Sequence, residues 1–446
     1  MKVALETLGC KVNHYETQAM QELFEQAGWT IVPASQSADV YVINTCTVTQ
    51  ASDRKSRQLI SRVHKVNPNA LIAVVGCYAE TNPQQAAAFP GVEILIGTQG
   101  RKEIVSRVQA ALTQRQSILM PGKDGMPHDA PVPQPPEIFS AHLERKKGSQ
   151  EFESLSAVRD GRTRATLKIQ DGCVNFCSYC IIPYARGPIC SRPLVEIARE
   201  LRLLAGQGYR EVVLTGIHLA SYGRETGEGD LLDVLALIKE INGIDRVRLG
   251  SLEPKFVDER FVQAVAENSK ICRQFHLSLQ SGSDSVLRRM NRRYTTAEYA
   301  YSVALLNDAM PNCAVTTDVI AGFCGETPAE HSETLAFCER MRFARMHVFP
   351  FSVRRGTAAA VMDGQLSQGL KEARAHELIA LGKRLTDEFL LRQIGTVAEV
   401  LIEHGGGGYT SNYVRVQSTG VVGTLVQIMI TEIQNETAIG KELTQR

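Results

Sequence analysis

No stretch of this chain approaches the roughly 18 consecutive apolar residues that a membrane-crossing helix needs. The opening Met1-Lys2-Val3-Ala4-Leu5-Glu6-Thr7-Leu8-Gly9-Cys10 is too short and too polar for the apolar part of a secretion signal. Charge of one sign is also lacking. Lys and Arg number 49 against 48 Asp and Glu, which excludes a broadly basic nucleic-acid coat and leaves room only for a local basic patch. Eleven cysteines are an odd count in a large chain, and six of them sit in motifs, so a reducing compartment is expected. These absences point to a cytoplasmic protein with no membrane and no DNA as partner.

What is present is Asp171-Gly172-Cys173-Val174-Asn175-Phe176-Cys177-Ser178-Tyr179-Cys180, three cysteines within eight residues. Thiols so close on one loop rarely make good disulfides, but they suit a soft metal group. A structural zinc would want a fourth ligand nearby. No His lies between Asp171 and Ile217, and the next cysteine, Cys190, stands alone. A 4Fe–4S cluster held by three thiolates keeps one iron open to a small molecule. On spacing alone, zinc or chance clustering stays as the other reading.

Residues Lys2 to about Thr113 alternate strand and helix. Lys2–Thr7, Asp39–Asn44, Ala70–Val75 and Val92–Ile96 are short β-branched runs, and Tyr15–Ala27 and Asp53–Val66 have helical periodicity. The pattern predicts a small parallel sheet covered by helices. Three of its strands run into cysteines, in Leu8-Gly9-Cys10, Asn44-Thr45-Cys46 and Val75-Gly76-Cys77. Carboxyl ends of parallel strands share one edge, so the three would converge. The bland reading makes each a small buried hydrophobe; their common topological position favours a second three-thiol site. Arg54, Lys55, Arg57, Arg62, His64 and Lys65 make Asp53–Val66 basic, which suits either a solvated face or a phosphate contact.

The proline-rich stretch from Ile118 to about Asp160 reads as a linker. From Arg164 to about Leu381 six further strand–helix units follow, with strands at Arg164–Ile169, Glu211–Thr215, Arg246–Leu249, Gln274–Leu279, Ala314–Ile320 and Met346–Phe351. Six units predict a partial α/β barrel with its chemistry at the carboxyl ends of the strands. After the helix Gln368–Arg392, Gly395–Arg446 is rich in short strands and turns, the composition of a small β-barrel. The expected division is 1–113, a linker 114–160, a barrel 161–385 and a β-barrel 386–446.

The string Lys168-Ile169-Gln170 through Cys180-Ile181-Ile182-Pro183-Tyr184-Ala185-Arg186-Gly187, with Tyr179 before the third cysteine, resembles the methylthiotransferase branch of the radical S-adenosylmethionine (SAM) enzymes. Gly9-Cys10-Lys11-Val12-Asn13, Asn44-Thr45-Cys46-Thr47-Val48-Thr49 and Val75-Gly76-Cys77-Tyr78-Ala79 are similar to the three motifs of that family's N-terminal domain. Gly408-Tyr409-Thr410-Ser411-Asn412-Tyr413-Val414-Arg415-Val416 resembles the RNA-binding TRAM barrel. The likeness implies two 4Fe–4S clusters, one on Cys173, Cys177 and Cys180 that engages SAM, and an auxiliary one on Cys10, Cys46 and Cys77. It implies SAM contacts from Tyr179, Gly216, Glu253, Gln280, Ala321 and Gly322, with Arg292 or Arg293 as weaker candidates, His218 as structural, and no catalytic residue beyond the cluster ligands. Val174, Cys324 and the loop Ser352–Thr357 depart from the usual pattern, and none of these departures removes a cluster ligand.

Lys11-Val12-Asn13 is most similar to the subgroup that methylthiolates threonylcarbamoyladenosine beside the tRNA anticodon. The resemblance thus implies tRNA as substrate and an electron donor such as flavodoxin or ferredoxin. Action on isopentenyl-adenosine in tRNA or on an aspartate of a ribosomal protein is the alternative, and a non-catalytic iron–sulfur protein a further one. The C-terminal acidic balance leaves RNA contact there to stacking by Tyr409 and Tyr413.

Overall fold

The computed structural model describes residues 1–119, 137–139, 150–157 and 163–443. They fall into two compact units, one of Met1–Arg159 with Ile181–Pro188, the other of Asp160–Cys180 with Ile189–Arg446.

The first unit is built on strands β1 (Lys2–Thr7), β2 (Thr30–Ile31), β3 (Val40–Thr45), β4 (Leu71–Gly76), β5 (Val92–Ile96) and β6 (Glu137–Phe139). All pair in parallel in the order β2-β1-β3-β4-β5-β6. Every residue of β3 and β4 is buried, as befits central strands covered on both faces, and their alternate side chains feed two separate cores. The helices Lys11–Gln26, Gln50–Val66 and Ile104–Leu119 supply those covers.

Two pieces of this unit come from unexpected places. The stretch read as a linker supplies β6, a sixth strand on the edge, and places Leu155 and Ala157 against Tyr15 and Ala19. Its flanking prolines hide a strand that is set by its partner β5 rather than by its own pattern. The helix Ile182–Arg186, directly after the cysteine loop, also belongs here rather than to the barrel.

The second unit carries six parallel strands in sequence order: β7 (Arg164–Lys168), then, after the short antiparallel pair β8 (Gln170–Asp171) and β9 (Cys190–Ser191), β10 (Glu211–Thr215), β11 (Arg246–Leu249), β12 (Gln274–His276), β13 (Ala314–Ala321) and β14 (Arg345–Pro350). They form two three-stranded sheets joined by the parallel bridges Val247–Ile271 and Leu252–Leu277. The sheet stays open, the partial barrel expected. β12 stops at His276, three residues short of the sequence reading, because the chain beyond pairs only at single bridges.

Strands β15 (Val397–Glu403), β16 (Gly407–Thr410), β17 (Arg415–Gln417), β18 (Leu425–Gln434) and β19 (Thr437–Glu442) close a small barrel in the order β15-β16-β17-β19-β18. Its core of Val400, Ile402, Val416, Ile428 and Ile430 is continuous with Phe389 and Leu390 of the helix Gln368–Leu391. Arg248 donates to the carbonyls of Thr410 (3.2 Å) and Ser411 (3.0 Å), and Arg246 to that of Tyr409 (3.1 Å). These arginines lie on β11, and Arg164, which pairs with Glu403 at 2.6 Å, opens β7. The small barrel therefore docks where these parallel strands begin, the opposite edge from the cysteine loop that follows β7. Among the described residues no helix is long and apolar enough to cross a membrane.

Candidate metal centres and the residues around them

In the first unit β1, β3 and β4 each hand over to a helix through a cysteine or its near neighbour. Cys10 caps the helix Lys11–Gln26, Cys77 opens the short helix Cys77–Thr81, and Cys46 precedes the helix Gln50–Val66. Helix amino termini carry exposed N–H groups and the positive end of the macrodipole, which favours thiolates. Gly9 holds φ at +118°, and a Cβ there would stand 2.9 Å from the Cβ of Cys46. Only glycine lets the two cysteine-bearing turns close to this distance. Cys46 and Cys77 are buried and Cys10 exposed.

Burial pushes the Cys46 thiol up, and pushes Cys77 up to about 12 despite the opposing charge of Arg186. Thiols of this kind ionise when a metal cation takes the place of the proton. All the converging donors are sulfur, the preference of iron–sulfur and other soft metals. Among the described residues no three His, Cys, Asp or Glu side chains stand close enough to share one metal ion. A cube of four irons and four sulfides is wider than an ion, so thiolates that serve it stand farther apart. The residues present fit such a cluster.

In the second unit β7 leads into Gln170, whose side-chain amide donates to the carbonyls of Asp171 (2.7 Å) and Gly172 (2.8 Å) and accepts from the backbone of His218 (2.6 Å). Lys168 pairs with Asp171, whose other oxygen accepts from Gly172 N at 2.8 Å. Past this anchor the loop turns through Phe176, an exposed aromatic at φ +47°. The side chain of Asn291 donates to the Phe176 carbonyl (3.0 Å), and Ser178 bonds the carbonyls of Arg289 and Met290. A non-glycine residue held in the left-handed region costs about 1–3 kcal/mol and persists where its surroundings over-determine it. The loop keeps Cys173, Cys177 and Cys180 partly exposed.

Four side chains gather beside these thiols. Glu253 lies 3.1 Å from His218 Nε2 and 3.4 Å from Arg292 Nη2, and Asn175 Nδ2 lies 3.1 Å from the same histidine nitrogen. Burial alone would raise the Glu253 carboxyl, but the His218 hydrogen bond and the Arg292 charge outweigh it and bring it down to about 2. Of the two arginine candidates, Arg292 lies against Cys177 and Glu253, and Arg293 is exposed.

The other expected contacts divide. A Cβ on Gly216 would stand 2.9 Å from the Gln170 side chain, and one on Gly322 (φ +73°) 2.6 Å from Lys371. Both glycines thus admit neighbouring parts of the chain itself. Tyr179 meets Phe323 edge-on and packs with Phe351 and Met290, while Ala321 is buried on β13. Gln280 holds φ +69° and exchanges backbone bonds with Asp318 and Ile320 of the same strand. Sequence reasoning missed Gln170, Asn175 and Asn291 as neighbours of the loop; the first two carry the signal of a polar residue beside a cysteine motif, and Asn291, 115 residues beyond Phe176, carries none.

The rings of Tyr409 and Tyr413 stack on each other at 4.7 Å, with the Arg164 guanidinium 4.9 Å from the first and that of Arg248 4.6 Å from the second. They cement the small barrel to the sheet. Tyr409 remains half-buried and Tyr413 exposed.

On the helix Gln50–Val66, Arg54, Lys55, Arg62 and Lys65 are exposed, and Arg57, Arg62 and Lys65 line a groove of about 490 Å³ closed by Phe89.

The family described as "Uncharacterized protein family UPF0004" matches residues 2–97, and the Radical SAM superfamily matches residues 167–338. The threonylcarbamoyladenosine tRNA methylthiotransferase MtaB of Bacillus subtilis is 40% identical over 96% of this chain and 93% of its own length. The protein of the same name from Aquifex aeolicus is 36% identical over 96% of this chain and all of its own. A tRNA-2-methylthio-N(6)-dimethylallyladenosine synthase from Pelotomaculum thermopropionicum is 31% identical over 96% and 95%. Among solved structures, the radical SAM methyltransferase TsrM of Kitasatospora setae superposes with a TM-score of 0.57 at 17% identity, over 81% of this chain and 74% of its own, a likeness of fold.

Proposed function

We propose, because this chain belongs to the radical SAM methylthiotransferase family and stands within its MtaB subgroup, that it adds a methylthio group to the 2-carbon of threonylcarbamoyladenosine beside the tRNA anticodon. The observation that carries the reading is the pairing of two all-sulfur triads, Cys10, Cys46 and Cys77 in one unit and Cys173, Cys177 and Cys180 in the other. Each triad would hold a 4Fe–4S cluster with one iron open. When bound, these groups supply what side chains lack, an electron to cleave SAM at the second triad and sulfur to transfer at the first.

The protein's own part is binding and orientation. Glu253, ionised over the whole physiological range, is an acceptor for ribose hydroxyls. Arg292 brings a fixed cation to Cys177 (3.3 Å) and to Glu253, offsetting negative charge that accumulates on a three-thiolate cluster. Gln170 locks the loop to the end of β10, so the three thiols keep one arrangement. Tyr179, Gly216, Gln280, Ala321 and Gly322 shape the surrounding wall. The exposed cations of the helix Gln50–Val66 meet tRNA phosphates, a contact that would carry the electrostatic share of binding without making the whole surface basic. A flavodoxin or ferredoxin would deliver the electron, and the reaction belongs to the cytoplasm.

The test is mass spectrometry of tRNA nucleosides from cells lacking the gene, with and without a complementing copy. Selective loss of methylthiolated threonylcarbamoyladenosine, restored by the wild-type copy and not by Cys10→Ala or Cys177→Ala, supports the reading. An unchanged nucleoside profile overturns it.

A further inference from the structure

Next to the three thiols of the first unit lies a ladder of buried charges. Arg186 donates from Nη1 to Glu16 Oε1 at 2.6 Å and from Nη2 to Glu16 Oε2 at 3.2 Å. Arg101 pairs with the same Glu16 and reaches Glu153 at 3.0 Å. The side chains of Arg186, Arg101 and Glu16 are wholly buried. A fold that needed only volume here would gain more from apolar residues, since taking charges out of water costs several kcal/mol per ion.

The ladder ends on Asn13. Arg186 Nη2 donates to Asn13 Oδ1 at 2.6 Å. A guanidinium can only donate, so it dictates which end of the Asn13 amide is oxygen. The Nδ2 end is thereby aimed at two carbonyls, Leu8 at 2.7 Å and Thr45 at 2.9 Å. Thr45 immediately precedes Cys46, and Leu8 stands two residues before Cys10. The Cys10 sulfur itself lies 3.8 Å from Asn13 Oδ1.

We propose that Arg186 is a positioning residue for the Cys10–Cys46–Cys77 site: by locking the Asn13 amide it fixes the spacing of the turns that carry Cys10 and Cys46, and it lends the site a buried positive charge. The inference rests on the reading that these thiols hold an iron–sulfur cluster. Arg186 follows Cys180 closely in sequence yet acts in the other unit, so one short segment serves both triads. Its charge reaches both buried thiols.

The experiment uses the full chain carrying Cys173→Ala, Cys177→Ala and Cys180→Ala, reconstituted anaerobically, so that only the first triad can load. This parent is expected to take up about four irons per chain. In it, Arg186→Gln should lose iron several-fold, and the remaining cluster should be harder to reduce, with a midpoint potential more negative than the parent's by redox-poised paramagnetic resonance. Arg186→Lys should bring the potential back toward the parent, since it restores the charge. A folded Arg186→Gln protein with the parent's iron content and potential overturns the proposal. If that variant does not fold, Asn13→Asp decides: it still accepts from Arg186 but cannot donate to Leu8 and Thr45, so parental iron content there overturns the proposal. A parent that takes up no iron fails at the cluster reading itself and removes the basis for a role of Arg186.

Discussion

Arg292 stands with one guanidinium nitrogen 3.3 Å from the sulfur of Cys177. A second nitrogen reaches Glu253 at 3.4 Å, so one largely covered cation touches both the Cys177 sulfur and the carboxylate proposed above to meet SAM. Charge-assisted hydrogen bonds contribute about 2 kcal/mol each, a factor of roughly thirty. Arg292→Ala should therefore lower reductive SAM cleavage at least that far, read as deoxyadenosine released under dithionite. Arg293→Ala, on the exposed neighbour, should stay near wild type.

Gly9→Ala tests the close approach of two cysteine turns. A side chain at φ +118° is strained, and its Cβ would meet Cys46 and Asn13 at 2.9 Å. The strain costs about 1–3 kcal/mol. A lower denaturation midpoint and reduced iron at the first triad are expected, with iron at the second triad unchanged.

Glu330 gives a pH signature away from either triad. The hydrogen bond from Arg289, outweighing burial and joined by Ser285 and the Thr327 backbone, brings its carboxyl down from 4.5 to about 2. A carboxylate with a depressed value stabilises the fold fully above its unfolded value and loses that stabilisation as pH falls toward the folded one. The gap in urea midpoint between wild type and Glu330→Gln should thus be constant near neutrality and shrink as pH falls below 4.5 toward about 2. A gap independent of pH over that window would contradict the assignment.

Arg248→Ala should loosen the small barrel. Arg248 is buried, pairs with Glu211 at 3.1 Å, covers the Tyr413 ring and donates to two carbonyls of the docking turn. Removing one partner of a buried ion pair costs about 3–5 kcal/mol. Earlier protease cleavage after Leu391, at unchanged iron content, is the expected readout.

For the basic helix, Arg62→Glu with Lys65→Glu should weaken tRNA binding across all sequences and lower the salt slope by about 2 if each contacts one phosphate. An unchanged slope would assign the face to solvation.

The two cysteine sets were legible in the sequence because spacing is local: three cysteines on one loop, and three others each following a strand of the first sheet. The parallel sheet and the open barrel followed from strand–helix alternation. Boundaries slipped where pairing rather than composition sets the element. The strand β16 (Gly407–Thr410) opens on two glycines, and they are what lets it pair with β15, since a Cβ on Gly408 would overlap the Leu401 carbonyl. The strand β18 likewise runs unbroken over Leu425–Gln434 because it pairs with both β15 and β19.

The sequence by itself determined the family and the fold class: six cysteines in two patterned sets, the alternating elements that carry them, and the family those strings resemble. Only the tertiary structure decided which polar residues stand near the thiols. Arg292 over Arg293, Gln170 behind the loop, and Arg186 with Glu16 and Asn13 beside the first triad are separated from their partners by up to 173 residues along the chain. Hydrogen bonds and ion pairs depend on distance in space, and periodicity along a sequence carries no record of it. The same holds for Tyr409 and Tyr413: nothing in their spacing shows that the fold brings Arg164 and Arg248 against their rings.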